Sequence, residues 1–170
     1  MNKIRFAVVT VSDRAARGER PDASGPALVE AIEKQGWSVV RRLILADDQK
    51  ELSEKLVSLV DEGLVDIILT TGGTGFAPRD VTPEATGAVI ERETPGLAEA
   101  MRAASAAQSP HAMLSRARAG IRGKTLIVNL PGSPAAAADN LRVISGALEH
   151  AVQLLHDSPQ AEAGHLKGVV

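Results

Sequence analysis

The sequence predicts an α/β domain built on a mostly parallel, doubly wound sheet. Short Val/Ile/Leu-rich runs alternate with longer amphipathic stretches, the pattern of strand–helix–strand units. The first run is apolar almost throughout rather than alternating, as expected of a strand covered on both faces. The 170 residues suit one domain, at about 100–200 residues per domain. No internal repeat or linker divides them. A single domain is expected over 1–157, with a loose, polar and small-residue tail over 158–170.

The elements follow in order. Ile4 to Val11 is the first strand. Asp22 to Gln35 reads as a helix, entered through Ser24-Gly25-Pro26 and closed by Gly36, with proline in the first turn and glycine past the end. Trp37 to Leu45 is a second strand. Gln49 to Glu62 is a helix with Leu52, Leu56, Leu59 and Val60 on one face and Gly63 as its stop. Asp66 to Thr71 is a third strand, ended by a glycine-rich turn. Thr82-Pro83 reads as an N-cap and first helical residue, opening a helix toward Arg92, and Pro95 starts another that reaches about Ala104. Leu114 to Ala119 is a candidate short strand, turned at Ala119-Gly120 or at Arg122-Gly123 toward the buried strand Thr125 to Leu130. The last helix begins at Ser133-Pro134 and sets Leu141, Ile144, Leu148, Val152 and Leu155 on one stripe.

Composition excludes several functions. There is no cysteine, so disulfides, thiolate metal sites and a cysteine nucleophile are ruled out, and a reducing compartment fits. A net charge of -2 and three aromatic residues (Phe6, Trp37, Phe76) leave neither a basic face nor stacking platforms for nucleic acid. No apolar run is long enough for a membrane span, and the amino terminus turns polar too soon for a signal peptide, so a cytoplasmic protein is expected. The core must be aliphatic.

In doubly wound sheets, ligands bind outside the carboxyl ends of the strands. Three such turns stand out: Thr10 to Arg14, Thr70 to Asp80 (TTGGTGFAPRD) and Asn129 to Ser133 (NLPGS). Gly72, Gly73 and Gly75, with hydroxyls at Thr71 and Thr74, allow successive N–H groups to face one anion. A plain tight turn is the alternative. The loop is neither a Walker A nor a GxGxxG motif. Among the carboxylates, Asp48 with Glu51 forms a capping box, which leaves Asp47 without a local role; Thr82 caps its own helix, which leaves Asp80 free in its loop. That pair could hold Mg²⁺ and orient phosphates, ordinary solvated acids being the alternative. Glu84, in a first helical turn, suits the helix dipole, a contact to the substrate being the alternative. Asp13 and Arg14 can pair with each other or with neighbours and Ser12 can simply end the strand, a site role for the trio being the alternative; Ser133 reads as an N-cap whose helix N-terminus could also take an anion. The four histidines read as surface residues. Ser115 lies in no G-x-S-x-G motif, so a serine-nucleophile hydrolase is not expected.

Taken together, TVSDR (Thr10 to Arg14), DASGPAL (Asp22 to Leu28), LTTGGTGFAPRDVTPEAT (Leu69 to Thr86), LSRA (Leu114 to Ala117) and NLPGSP (Asn129 to Pro134) resemble the molybdopterin-binding family of molybdenum cofactor biosynthesis, and its adenylyltransferase branch in particular. The resemblance covers residues 4 to 156. It implies a three-layer αβα sandwich, commonly a homotrimer, that adenylylates molybdopterin with ATP and Mg²⁺, releases pyrophosphate and passes its product toward a molybdenum-insertion protein. Asp47 and Asp80 match the family's catalytic acids and would hold the metal; Gly72 to Gly75 match its ligand-binding turn. Ser12, Asp13, Ser115, Pro131 and Gly132 match positions around the pterin. The family often carries Lys after PGSP where Ala135 stands here, and Arg79, Arg14 or Arg116 would have to replace its charge. A pterin carrier without chemistry, or a phosphoanhydride hydrolase, are the alternatives a family fold leaves open.

Overall fold

The computed structural model describes residues 3–158; the expected tail beyond Ser158, with His165, lies outside the described residues. One six-stranded sheet runs through the molecule: β1 (Arg5–Val11), β2 (Ser38–Leu45), β3 (Ile67–Thr71), β4 (Arg92–Glu93), β5 (Ala119–Arg122) and β6 (Thr125–Leu130). Their spatial order is β2-β1-β3-β6-β5-β4. The first four are mutually parallel; β5 and β4 are added antiparallel. The helices are α1 (Asp13–Ala16), α2 (Ser24–Lys34), α3 (Gln49–Asp61), α4 (Thr82–Val89), α5 (Pro95–Ala106) and α6 (Pro134–Leu155), with a 3-10 turn at Pro110–Leu114.

Strands β1, β3 and β6 are buried on both faces, which is why their runs read as continuously apolar. On one face Phe6, Val8, Leu69 and Val128 meet Leu28 and Ile32 of α2, Met101 of α5 and Leu141, Ile144 and Leu148 of α6. On the other, Ala7, Val9, Ile68 and Ile127 meet Leu52, Leu56 and Leu59 of α3 and Ala85 and Val89 of α4. The result is the expected αβα sandwich. Two of the three rings serve this core, Phe6 stacking on Trp37 at 5.3 Å between centroids. Phe76 is 67% exposed.

Several local expectations are corrected. Helix α2 starts at Ser24 rather than Asp22, because the Asp22 carboxylate stays outside and accepts the Gly25 N–H at 2.9 Å. Helix α4 ends at Val89 rather than Arg92: Ile90 turns extended, the Glu91 N–H donates to the Ile121 carbonyl, and Arg92 pairs in register with Ile121 as an edge strand. The candidate strand at Leu114 to Ala119 is displaced, since Arg116 N–H is taken by the Thr74 carbonyl and pairing with β6 begins at Ala119. The hairpin turns at Gly123-Lys124, where Gly123 holds φ +56. Nor is His156 a bystander; its Nε2 lies 3.2 Å from Asp66 Oδ1.

Candidate functional site

The carboxyl ends of β1 and β3 are neighbours whose chains leave toward opposite faces, β1 to α2 and β3 to α4. This is a topological switch point, and the divergence of the two loops leaves a crevice. A cleft of about 210 Å³ opens there. Its floor is Thr10, Thr71, Gly72 and Gly73, and Ser12, Asp22, Asp47 and Gly132 stand around it.

The glycines are required by close packing. Gly72 holds φ +105, and a Cβ there would collide with the Val11 carbonyl oxygen. A Cβ on Gly132 would lie 3.2 Å from the Gly72 Cα, so the two loops touch backbone to backbone. Thr82 does not cap α4 as expected. It is the first residue of that helix, and its buried hydroxyl donates to the Gly72 carbonyl at 2.9 Å, while Gly73 carbonyl accepts the Thr82 N–H at 3.1 Å. The loop is held from the helix, not the helix from the loop.

Asp47 and Asp13 brace each other. Asp47 Oδ2 accepts the Asp13 N–H at 2.9 Å, and Asp13 Oδ1 accepts the Asp47 N–H at 3.0 Å. Asp47 therefore has a local role that the sequence did not reveal. Burial, and then the like charges of Asp13 and Asp80, hold its carboxyl above the ordinary range, against the Asp13 N–H bond and the charge of Arg79. Asp80 is not free either: its Oδ2 accepts the Ala77 N–H at 3.0 Å, folding the loop back on itself. Asp48, by contrast, caps α3 as expected, accepting the Glu51 N–H at 2.8 Å.

Arg116 straps this loop. Its Nε donates to the Gly75 carbonyl at 2.7 Å, Nη2 to the Asp80 carbonyl at 2.5 Å, and Nη1 to Glu84. Burial works against the Glu84 charge, yet the Arg116 bond keeps that carboxyl below its ordinary range. Glu84 thus serves Arg116, and Arg116 is consumed by structure.

The remaining expected residues divide. Ser12 caps α1, accepting the Ala15 N–H, and lines the cleft. Ser115 and Pro131 line an adjoining pocket of about 230 Å³ between α5 and α6, walled by Ala98, Met101 and Asn140. Thr71 joins the two hollows, its hydroxyl donating to the Pro131 carbonyl at 2.7 Å. Beneath them Asn129, fully buried, donates to both Thr70 and Thr86 and accepts the Arg118 N–H. Thr74 and Gly75 continue the loop toward Arg116, away from the cleft floor. Ser133 makes no capping bond and lies outside the cleft, as does Ala135. Asp22 was missed as a site residue. Its side chain is 2% exposed, accepts from Thr10, Gly25 and Arg42, and stays ionised below the usual range despite burial, held by those bonds. The available signal was its place three residues before Gly25 in DASGPAL.

A larger hollow of about 980 Å³ opens at the opposite, amino ends of the strands, beside Arg5, Asp66 and His156. Size does not decide in its favour, because Asp66 is already closed by the Arg5 guanidinium at 2.8 Å and by His156.

No three His, Asp or Glu side chains converge on one point among the described residues. Mg²⁺ does not need three, because it takes one or two carboxylates and fills its sphere with water and substrate phosphate oxygens. Asp47 and Asp80, close enough to repel and without a cationic side chain bonded to either, fit an ion that arrives with a phosphate ligand.

Fold and site together define an α/β protein with a polar cleft at a topological switch point of its sheet. The family described as "probable molybdopterin binding domain" matches residues 7–150. The chain belongs to that family of molybdenum cofactor biosynthesis. It is 40% identical to a molybdopterin adenylyltransferase of Helicobacter pylori, covering 91% of this chain and 89% of that one. It is 43% identical to the molybdenum cofactor synthesis protein cinnamon of Drosophila melanogaster over 92% of this chain, which spans 26% of cinnamon's length. The crystal structure of the molybdopterin biosynthesis enzyme MoaB of Thermus thermophilus superposes with a TM-score of 0.86 at 43% identity, covering 92% of this chain and 98% of that one. No helix among the described residues is long and apolar enough to cross a membrane.

Proposed function

We propose that this protein adenylylates molybdopterin with Mg-ATP, releasing pyrophosphate. The observation that carries the reading is the Asp47–Asp13–Asp80 cluster, acids left without bonded cations beside a glycine turn at the switch point. The name of the Helicobacter relative, matched over most of both chains, supports it. The nucleotide's phosphates occupy the cleft. The pterin ring takes the Ser115 pocket, with its terminal phosphate reaching past Gly132 toward the α-phosphate.

A phosphate monoester is already anionic at neutral pH, so the reaction needs alignment and charge neutralisation rather than a general base. Asp47 and Asp80 would hold Mg²⁺, which supplies neutralisation of the phosphate oxygens. The chain's own residues do the rest. The Thr82 and Arg116 bonds fix the loop that carries Asp80, and the Asp13 N–H aims one Asp47 oxygen, leaving Oδ1 for the ligand side. Ser115 hydrogen-bonds the pterin. Exposed Val40 and Ile44 on edge strand β2 support a homo-oligomer, a trimer by the family resemblance, and a sedimentation mass of three chains tests it.

The deciding experiment incubates protein with molybdopterin, ATP and Mg²⁺. Asp80→Asn is expected to abolish pyrophosphate release while pterin binding stays largely intact. Undiminished turnover rejects the assignment. A carrier would instead bind pterin without Mg²⁺-dependent ATP binding, and a phosphoanhydride hydrolase would release products from the nucleotide without pterin.

A further inference from the structure

The nucleotide reading leaves a charge unaccounted for. A triphosphate entering the cleft meets Asp22 and Asp47, and the metal would be shared between Asp47, Asp80 and part of the phosphate chain. Cations for the terminal phosphates must come from the protein, and Ala135 supplies none. The nearby arginines are mostly engaged. Arg42 closes on Asp22 at 3.0 Å, Arg17 on Glu19 at 2.7 Å, and Arg116 is spent on the loop.

Two are not. Arg20, between α1 and α2, and Arg79, in the turn after β3, both line the cleft, and neither side chain makes a hydrogen bond or ion pair among the described residues. They approach from two different loops. Arg79 is near enough for Asp47 to feel its charge. An exposed arginine placed beside acids without pairing to one retains its planar fork of donors for an incoming phosphate, which it grips bidentately.

We propose that Arg20 and Arg79 form a two-sided clamp for the β- and γ-phosphates of the nucleotide and for the pyrophosphate that leaves. The clamp rests on the adenylylation reading. In that step a pterin phosphate oxygen forms a bond to the α-phosphorus, the bond from that phosphorus to the bridging oxygen breaks, and the electron pair departs with pyrophosphate. Negative charge grows on the leaving group, where fixed guanidinium donors stabilise it. The clamp therefore selects a nucleoside triphosphate over a mono- or diphosphate.

The test is calorimetric titration of the whole chain with Mg-pyrophosphate and, separately, with AMP. Arg20→Gln and Arg79→Gln are each expected to weaken pyrophosphate binding about tenfold or more, with AMP affinity changed less than twofold and Arg79→Lys recovering part of the loss. Arg92, exposed on edge strand β4 and outside the cleft, serves as the control: Arg92→Gln should bind pyrophosphate as the wild type does. Pyrophosphate affinity unchanged in the double variant overturns the clamp, as does an equal loss toward AMP or a wild type that binds no pyrophosphate. Failure of the two readings is separable. Pyrophosphate binding that needs both arginines, without any adenylylated product, rejects the reaction and keeps the anion site; product formation indifferent to both arginines rejects the clamp alone.

Discussion

Replacing Arg116 with methionine isolates the strap. The substitution keeps much of the aliphatic stem and removes bonds to the Gly75 and Asp80 carbonyls and to Glu84. A bond from a charged donor contributes about 1.5–3 kcal/mol when buried. The Arg116 side chain is 34% exposed, so the freed carbonyls recover water and each bond is better placed near about 1 kcal/mol. The Glu84 pair, on a side chain 43% exposed, adds at most about 1 kcal/mol. The expected loss is roughly 2–3 kcal/mol, or about 4–12 °C in Tm for a chain of this size. Because the loop carries Asp80, kcat should fall further than stability alone explains, with the KM for pterin nearly unchanged. Arg116→Lys keeps the charge but not the fork, so it should fall between. Thermal melts by circular dichroism, read beside pyrophosphate release, check both effects. A Tm within about 1 °C of wild type with unaltered kcat refutes the strap, and so does a Glu84→Gln variant that reproduces the whole loss.

Three further outcomes are expected. Asp47→Asn, melted in EDTA at neutral pH, should be at least as stable as wild type yet inactive, since it removes a partly buried charge that Asp13 and Asp80 repel while an amide oxygen still accepts the Asp13 N–H; a clear loss of Tm would contradict this. Burial alone would raise the Asp66 carboxyl, but the Arg5 bonds lower it below its unfolded value, so its stabilisation is present above about pH 4 and is lost as pH falls through the folded pKa. The Tm gap between wild type and Asp66→Asn should accordingly be largest near neutrality and shrink in acid, and a gap that widens in acid reverses the sign of the argument. Gly72→Ala, at φ +105 and against the Val11 carbonyl, should cost roughly 2–5 kcal/mol, read as a lowered denaturation midpoint.

The strands and most helices were legible because burial writes itself into composition. Strands β1, β3 and β6 are covered on both faces, so their runs are apolar whatever the register. The leucine stripe of α3 and its Asp48 cap were equally local. What failed was decided at a distance. Thr82 looks like a cap because Thr-Pro so often is one, yet its hydroxyl is claimed by Gly72, ten residues earlier. Edge strand β4 has two exposed residues and no apolar signature, existing only because β5 lies beside it. In the site, Asp47 and Asp80 were identified by eliminating capping roles, whereas their bonds to Asp13 and Ala77 N–H groups depend on how the loops fold. The use of Arg116 for the loop and of Asp22 by Arg42 spans 36 and 20 residues, beyond any sequence window.

The two ends of the strands treat their acids oppositely. At the amino ends of the strands Asp66 is paired with the Arg5 guanidinium and lies 3.2 Å from His156 Nε2. At the carboxyl ends burial and the like charges of Asp13 and Asp80 work against the Asp47 charge, opposed by the Asp13 N–H and by Arg79. On the adenylylation reading, a cation and its nucleotide would relieve the repulsion that Asp13 and Asp80 exert on Asp47 as well as making their own bonds. Amide exchange should report this as protection gained at the Ser12–Asp13 and Gly72–Asp80 segments on loading with Mg-ATP, while the Arg5–Asp66 end, already closed, exchanges at an unchanged rate.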